Sequence, residues 1–182
     1  MPRADHPAPC LRRQPRTRKV WPRFVLLAGL GAGTLALTAL HGFAQTHALM
    51  INASPSLPHW AIWLDKDAKP ARGTIVLFAP PPSKLLTAHF GERPQPFGKR
   101  VLGMPGDVVT RQGRIFAING KVMATAKPRS RKGEVLALGP TGTIPDNCYY
   151  VGATHPDSFD SRYAAIGWIC QDRILGVGRP IL

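Results

Sequence analysis

The sequence has few acidic residues and lacks the short motifs of several large enzyme classes. Its 182 residues include 10 Asp and Glu against 24 Lys and Arg, and three cysteines. It contains no Gly-x-Ser-x-Gly elbow, no His-Glu-x-x-His pair and no cysteine pair at metal-ligand spacing. These absences argue against the common serine hydrolase elbow, zinc proteases of that type and zinc fingers. We expect neither a metal nor a cofactor.

The surplus of positive charge comes without a nucleic-acid-binding signature. No helix-turn-helix, zinc or RNA-binding pattern is present. Seven of the 24 basic residues and one of the 10 acidic residues lie in residues 1–23, which leaves 17 and 9, a net charge of +8, for residues 45–182. A basic domain beside an anionic membrane surface fits that charge. We therefore expect no nucleic acid partner.

Residues 24–44 form a long apolar run that carries no charge. As a helix, this run would span about 31 Å, which matches the core of a bilayer. The basic, proline-containing segment 1–23 before it predicts a disordered cytoplasmic tail, with residues 45–182 as a domain on the other side of the membrane. A cleavable signal peptide, processed near the Gly-Phe-Ala at residues 42–44, is the alternative.

The remaining chain has the pattern of a mostly β domain. The predicted strands are residues 73–78, 100–102, 108–110, 114–118, 121–124, 148–151, 168–170 and 174–177. Asn-Gly at 119–120 is a strong hairpin signal, and Pro-Gly at 105–106 suits a type II turn. We expect the proline-rich segment 79–98 to be a loop and the basic segment 127–133 to be a solvated excursion.

Two serines beyond the apolar run lie in a stiff setting. Ser54 and Ser56 flank Pro55, and Pro58 follows. Because prolines restrict φ and push the preceding residue toward extended conformations, the two hydroxyls have defined directions. A Pro/Ser cluster is also typical of a simple linker.

A serine nucleophile needs a base, and a neutral lysine can serve. Lys99 precedes an apolar run that begins at Val101, and apolar surroundings would lower the pKa of its amine. The alternative is that Lys99 and Arg100 form an ordinary surface pair. A Ser–His–Asp site built on His59 or His155 is disfavoured because the sequence has no nucleophile elbow.

Four blocks follow the apolar run in a fixed order. They are SPSLP (54–58), RGTIVLF (72–78), KRVLGMPGD (99–107) and DSFDSRY (157–163). Together they resemble the type I signal peptidases, and most closely the TraF-type conjugative transfer peptidases, over roughly residues 52–182. The resemblance implies a mostly β fold of signal-peptidase-like coiled antiparallel sheets, preceded by one N-terminal transmembrane helix. It also implies a bacterial inner-membrane protein whose catalytic domain is periplasmic.

The resemblance assigns roles to individual residues. Ser56 matches the nucleophile and Lys99 the general base of a Ser–Lys dyad. Ser54 matches the residue whose hydroxyl joins the backbone N–H of Ser56 in an oxyanion hole. Ser158 matches the serine that hydrogen-bonds the lysine and orients it.

Two further residues of the last block match a buried pair that braces the site. These are Asp160 and Arg162, and the alternative is that Asp160 orients the lysine directly. The sequence departs from the family pattern at Ala153, where an acid is usual, and at Thr74, where an aspartate is common. The segment that follows Tyr163, residues 164–167, is also longer than is usual in the family. These departures leave activity in place and put specificity in doubt.

The implied activity is that of a membrane-anchored serine endopeptidase that cleaves signal-peptide-like segments through an acyl-enzyme. A single span and a small outer domain favour a dedicated peptidase that matures, or cyclises, a conjugative pilin or a type IV secretion component. One alternative is a housekeeping signal peptidase that acts on exported preproteins. The other is a catalytically silent assembly protein of the transfer apparatus.

The cysteines divide between the two predicted sides of the membrane. Cys148 and Cys170 fall in predicted strands of the outer domain, where disulfides persist, and Cys10 falls in the cytoplasmic tail. We expect a disulfide between Cys148 and Cys170 and a reduced Cys10. The alternative is two reduced, buried cysteines that act as small apolar residues.

Overall fold

The structure is a computed structural model, and it describes residues 21–51 and 57–181. The predicted tail up to residue 20 lies outside the described residues. So does the segment 52–56, which contains both Ser54 and Ser56.

A long helix begins the described chain. Helix α1 (Trp21–Thr46) has 26 residues, so it starts before the predicted apolar run and ends after it. Its segment Phe24–Thr46 has a mean hydropathy of 1.7 and is long and apolar enough to cross a membrane. The predicted N-terminal apolar helix is therefore present.

Within the described residues the rest of the chain is mostly β. The strands are β1 (His47–Ile51), β2 (Ala61–Asp65), β3 (Ile75–Phe78), β4 (Phe97–Gly103), β5 (Val108–Gln112), β6 (Ile115–Ile118), β7 (Lys121–Thr125), β8 (Gly142–Thr143), β9 (Cys148–Gly152), β10 (Ile169–Cys170) and β11 (Ile174–Pro180). The larger sheet has the order β1-β2-β11-β3-β4-β9-β10, and the smaller sheet has the order β7-β6-β5-β8. All neighbouring strands are antiparallel. The predicted fold class is confirmed.

Two turns follow directly from local sequence. Asn119 and Gly120 connect β6 to β7 with φ angles of 50° and 78°, as a tight hairpin turn requires. Gly106 has a φ of 85°, and the N–H of Asp107 donates to the carbonyl of Met104 at 3.1 Å. Both predicted turns are confirmed.

The prediction that segment 79–98 is a loop was wrong in its middle. Helix α2 (Lys84–Phe90) begins after an extended Ser83 and ends at Gly91, whose φ is 84°. The seven helical residues contain neither proline nor glycine, so the prolines before them mark only the start of the helix. Leu86 is buried and holds the helix on the core. Strands β1 and β2 were not predicted either.

Strand β4 lies between two apolar clusters. On one face Val101 packs in a buried cluster with Val76 of β3 and Val151 of β9. On the other face Leu57, which is 6% exposed, covers Gly98, because a Cβ at Gly98 would be 3.2 Å from Leu57 Cδ1. The chain directly after the segment 52–56 therefore packs over β4.

Candidate active site

Lys99 lies on the buried face of β4. Its side chain is 5% exposed, and it pairs in register with Val76 of β3. Side chains alternate along a strand, so Lys99 shares its face with buried Val101 while Arg100 points to the exposed face. The structure thus favours the buried lysine over the surface-pair alternative.

Burial changes the acidity of this lysine. It lowers the pKa of Lys99 from 10.5 to about 8. The negative charge of Asp160 raises this pKa and the positive charge of Arg162 lowers it, and both effects are smaller than that of burial. No hydrogen bond of Lys99 Nζ is found among the described residues. A lysine with a pKa near 8 is neutral often enough at mildly alkaline pH to accept a proton.

One aromatic ring lies over the lysine and belongs to a cluster of rings, a feature that sequence reasoning missed. The ring of Phe97 lies 5.8 Å from Lys99 Nζ. Phe97 in turn makes edge-to-face contacts with Phe90 at 5.0 Å and with Phe78 at 6.1 Å between ring centroids, and Phe90 makes one with Phe159 at 5.7 Å. The spacing of Phe97 and Lys99, two residues apart on one strand, was the signal that could have found the first of these rings.

Asp160 and Arg162 form a buried ion pair with two parallel hydrogen bonds. Arg162 Nε donates to Asp160 Oδ1 and Arg162 Nη2 donates to Asp160 Oδ2, each at 2.8 Å. Asp160 is 0% exposed and Arg162 is 4% exposed. Arg162 also donates to the carbonyls of Thr125 at 3.1 Å and Ser158 at 3.3 Å. Burial alone would lower the pKa of Arg162, but the hydrogen bonds and charge of Asp160 raise it overall.

The two carboxylate oxygens of Asp160 are both engaged by this pair. Asp160 Oδ2 accepts a further hydrogen bond from the N–H of Ala153 at 3.3 Å. Its oxygens therefore serve the loop, and this geometry favours a bracing role for Asp160 over direct contact with Lys99.

Ser158 is buried beside this pair, and its hydroxyl lacks a partner. The residue is 4% exposed, and its Oγ makes no hydrogen bond within the described part of the chain. Its backbone is fixed, because its N–H donates to His155 O at 3.1 Å and its carbonyl accepts from Arg162. The predicted hydrogen bond between Ser158 and Lys99 is not formed among these residues, so the orienting role of Ser158 stays a prediction.

The two positions that depart from the family pattern have local roles. Ala153 offers only its backbone N–H to Asp160. Thr74 Oγ1 donates to the carbonyl of Ala71 at 2.7 Å and accepts from the N–H of Ala71 at 3.1 Å, which closes the turn before β3. Neither side chain contacts Lys99 in the described hydrogen bonds.

Cys148 and Cys170 are joined by a disulfide in the structure. They are register partners on β9 and β10 and lie 22 residues apart in sequence. The loop between the two strands carries Ser158, Asp160 and Arg162. The bridge therefore closes the segment that holds the buried ion pair, and its oxidation in the native protein stays a prediction.

Curated proteins similar to this chain are named as signal peptidases I. Probable signal peptidase I-2 of Synechocystis sp. is 34% identical over 113 residues, which are 59% of this chain and 45% of the relative. Signal peptidase I of Bacillus amyloliquefaciens is 34% identical over 89 residues, which are 44% of this chain and 46% of the relative. The chain thus spans less than half the length of the curated relatives it matches.

A solved structure and a family profile complete the comparison. The crystal structure of a signal peptidase I from Enterococcus faecalis V583 has 29% sequence identity and a TM-score of 0.39, and it covers 60% of this chain and 97% of its own. A family profile described as signal peptidase, peptidase S26, matches residues 21–182. That match covers much more than half of this chain. The chain therefore belongs to the signal peptidase family, peptidase S26.

Proposed function

We propose that this chain is a membrane-anchored serine endopeptidase of the signal peptidase I type, with Ser56 as its nucleophile and Lys99 as its general base. The observation that carries the proposal is Lys99 itself. It is a lysine buried on strand β4, its pKa is lowered to about 8, and it lies in a chain that belongs to this family. Such a lysine can take part in proton transfer near neutral pH.

The proposed reaction proceeds through an acyl-enzyme. Neutral Lys99 accepts the proton of the Ser56 hydroxyl as its oxygen attacks the scissile carbonyl, and the ammonium formed then gives that proton to the leaving amine. A water molecule releases the acyl group with Lys99 again as the base. The hydroxyl of Ser54 and the N–H of Ser56 stabilise the oxyanion, each by about 3 kcal/mol.

The packing of Leu57 against strand β4 supports this proposal. Leu57 directly follows Ser56 in sequence, and it covers Gly98, which directly precedes Lys99. This contact holds Leu57, the described residue next to Ser56 in sequence, against the strand that carries Lys99.

The apolar helix α1 supports a role at a membrane surface. In this proposal α1 crosses the bacterial inner membrane with its N-terminus in the cytoplasm, and the domain that follows faces the periplasm. A preprotein at the membrane would then reach the domain through its signal-peptide segment. It would bind as an added strand against the domain, with alternate side chains entering small pockets.

Two substrate classes fit this site. The curated relatives are named signal peptidase I, which favours a housekeeping enzyme that acts on exported preproteins. The resemblance of the four sequence blocks to the TraF-type peptidases favours a dedicated enzyme for a conjugative pilin or a type IV secretion component. Mass spectrometry of a co-expressed pilin separates hydrolysis from cyclisation, because the hydrolysed product is one water heavier than the ring.

Site substitutions test the proposed function. Ser56→Ala and Lys99→Ala should each abolish cleavage of a peptide with an Ala-x-Ala segment before the scissile bond. Because the two residues act as a unit, the double variant should be little worse than either single variant. Lys121→Ala, which changes an exposed lysine of β7, is the matched control and should cleave like the wild type. Wild-type turnover in Ser56→Ala would contradict the assignment. So would full activity in both single variants.

A further inference from the structure

The basic segment Lys127–Glu134 is anchored at its far end, although most of its residues are exposed. Lys132 Nζ donates to the carbonyl of Ala88 at 2.8 Å, and His89 Nε2 lies 3.0 Å from Glu134 Oε2. Both contacts join the segment to helix α2. The segment is therefore held in a defined position rather than extended into solvent.

The start of this segment is fixed to the block that carries Asp160 and Arg162. The backbone N–H of Lys127 donates to the buried hydroxyl of Tyr163 at 3.0 Å. Arg162 Nη1 donates to the carbonyl of Thr125, two residues before Lys127. The N–H of Gly139 donates to the carbonyl of Arg162 at 2.7 Å. The chain that leaves β7 is thus hydrogen-bonded to Arg162 and Tyr163 at the end of that block.

The side chain of Lys127 reaches the other end of the same block. Its Nζ forms a close ion pair with Asp157 Oδ1, and Arg131 Nε lies 3.4 Å from Asp157 Oδ2. The hydrogen bond from Lys127, with the charges of Lys127, Arg131 and His155, holds the pKa of the Asp157 carboxyl below its usual value against the opposing effect of desolvation. Asp157 is therefore ionised and paired at neutral pH.

Ser158 directly follows Asp157, and its hydroxyl has no hydrogen bond of its own among the described residues. The direction of that hydroxyl therefore depends on how firmly its backbone is held. Arg162 and His155 hold the backbone from inside the domain. Lys127 holds it from outside through the neighbouring carboxylate.

We propose that Lys127, through its ion pair with Asp157, is a positioning residue that fixes the backbone at Ser158, the residue predicted to orient Lys99. This role rests on the proposed function, and it belongs to a part of the chain that the four blocks do not include. Lys127 contacts both ends of the block 157–163. Its backbone N–H donates to Tyr163, and its side chain pairs with Asp157.

The ion pair acts on the reaction through the environment of Lys99. In this proposal the held Ser158 hydroxyl, which has no other partner among the described residues, is available to donate to the neutral amine, and such a bond favours the neutral form of Lys99. If the pair is lost, the loop relaxes and the pKa of Lys99 rises. The charged groups that face Lys99, Asp160 and Arg162, stay paired with each other in either case.

The test compares three charge-removing variants of the full-length protein in detergent. Lys127→Met and Asp157→Asn break the pair, and Lys121→Met removes an exposed lysine of β7 as the matched control. With the Ala-x-Ala peptide, both pair variants should lose about tenfold in kcat with little change in KM, since a small misplacement at a site is enough for such a loss. The apparent pKa of the rising limb of the pH–rate curve should move upward. Lys127→Arg, which can keep the pair, should restore both properties.

Each outcome decides the proposal. If Lys127→Met and Asp157→Asn match Lys121→Met in kcat and pH profile, the positioning role is overturned. A loss of thermal stability with an unchanged pH profile overturns it as well, because that is a structural role. If Lys127→Met does not fold, the nearly isosteric Asp157→Asn gives the same readouts.

Failure of the proposed function remains distinguishable in the same assay. Activity that survives in Ser56→Ala and Lys99→Ala contradicts the dyad whatever the pair variants do. If Ser56→Ala and Lys99→Ala are inactive while Lys127→Met and Asp157→Asn behave like the wild type, only the role of Lys127 is overturned.

Discussion

Strand β4 and the loop between β9 and β10 each bury one cation, and the two cations are held in opposite ways. Lys99 of β4 is 5% exposed and Arg162 of the loop is 4% exposed. Arg162 makes two hydrogen bonds to Asp160 and others to backbone carbonyls. Lys99 is covered by the ring of Phe97, and none of the described hydrogen bonds includes its Nζ.

The difference between these regions appears in their acidities. The pKa of Lys99 is lowered and the pKa of Arg162 is raised, although both groups are buried. Burial disfavours a charged group unless hydrogen bonds and an opposite charge replace its water. The paired cation therefore serves the fold, and the amine of Lys99, which has no hydrogen bond among the described residues, is the one that the proposed function uses for proton transfer.

Removing the paired cation should have the largest effect on stability. Arg162→Met leaves Asp160 buried without its partner and leaves the carbonyls of Thr125 and Ser158 without their donor. We expect a loss of about 3–5 kcal/mol in the free energy of unfolding, measured by chemical denaturation of the full chain. The double variant Arg162→Met/Asp160→Leu should be less unstable than the single one. A loss below about 1 kcal/mol in Arg162→Met would remove the contrast between the two cations.

The disulfide should have the next largest effect, and it should act on the loop rather than on β4. The bridge between Cys148 and Cys170 closes 22 residues that include Ser158 and Arg162. Its loss in a Cys148→Ala/Cys170→Ala variant should cost about 3 kcal/mol, because the unfolded chain regains the freedom of that loop. Thiol labelling of the denatured, unreduced full-length protein should find one reactive thiol, that of Cys10. Three reactive thiols would defeat the prediction.

Removing the charge of Lys99 should have a smaller effect on stability, and this effect should have the opposite sign. Lys99→Met should be inactive yet more stable than the wild type by about 2 kcal/mol at pH 7, because it removes a charge that burial disfavours. The folded-state pKa is lowered from 10.5 to about 8, so between these values the unfolded chain binds more protons. Wild-type stability should therefore rise with pH across this window, and the advantage of Lys99→Met should shrink. A less stable Lys99→Met at pH 7 would show that the ammonium is paired after all.

Features set by neighbouring residues could be predicted from the sequence. The Asn119-Gly120 turn needs two residues that tolerate positive φ, and both are adjacent in the chain. The buried position of Lys99 follows from its alternation with Val101 on one apolar strand. Local patterns of this kind explain why the antiparallel β fold was expected and found.

Features that join distant segments could not be predicted. Lys127 and Asp157 are 30 residues apart in sequence, and no local pattern signals that they meet. Helix α2 was hidden by the prolines around it, so the approach of Phe90 to Phe97 was hidden as well. The positions of Ser54 and Ser56 lie outside the described residues, and their roles remain predictions from the family resemblance.

The pH dependence of kcat/KM tests the central claim most directly, because it reports the ionisation of the free enzyme. With the Ala-x-Ala peptide and the full-length protein, the account predicts a rising limb with an apparent pKa near 8, the value to which burial lowers the amine of Lys99. In Lys121→Ala, which alters an exposed lysine, the same limb should be unchanged. A curve that still climbs steeply through pH 10 would contradict the account, because Lys99 would then titrate as an ordinary exposed lysine.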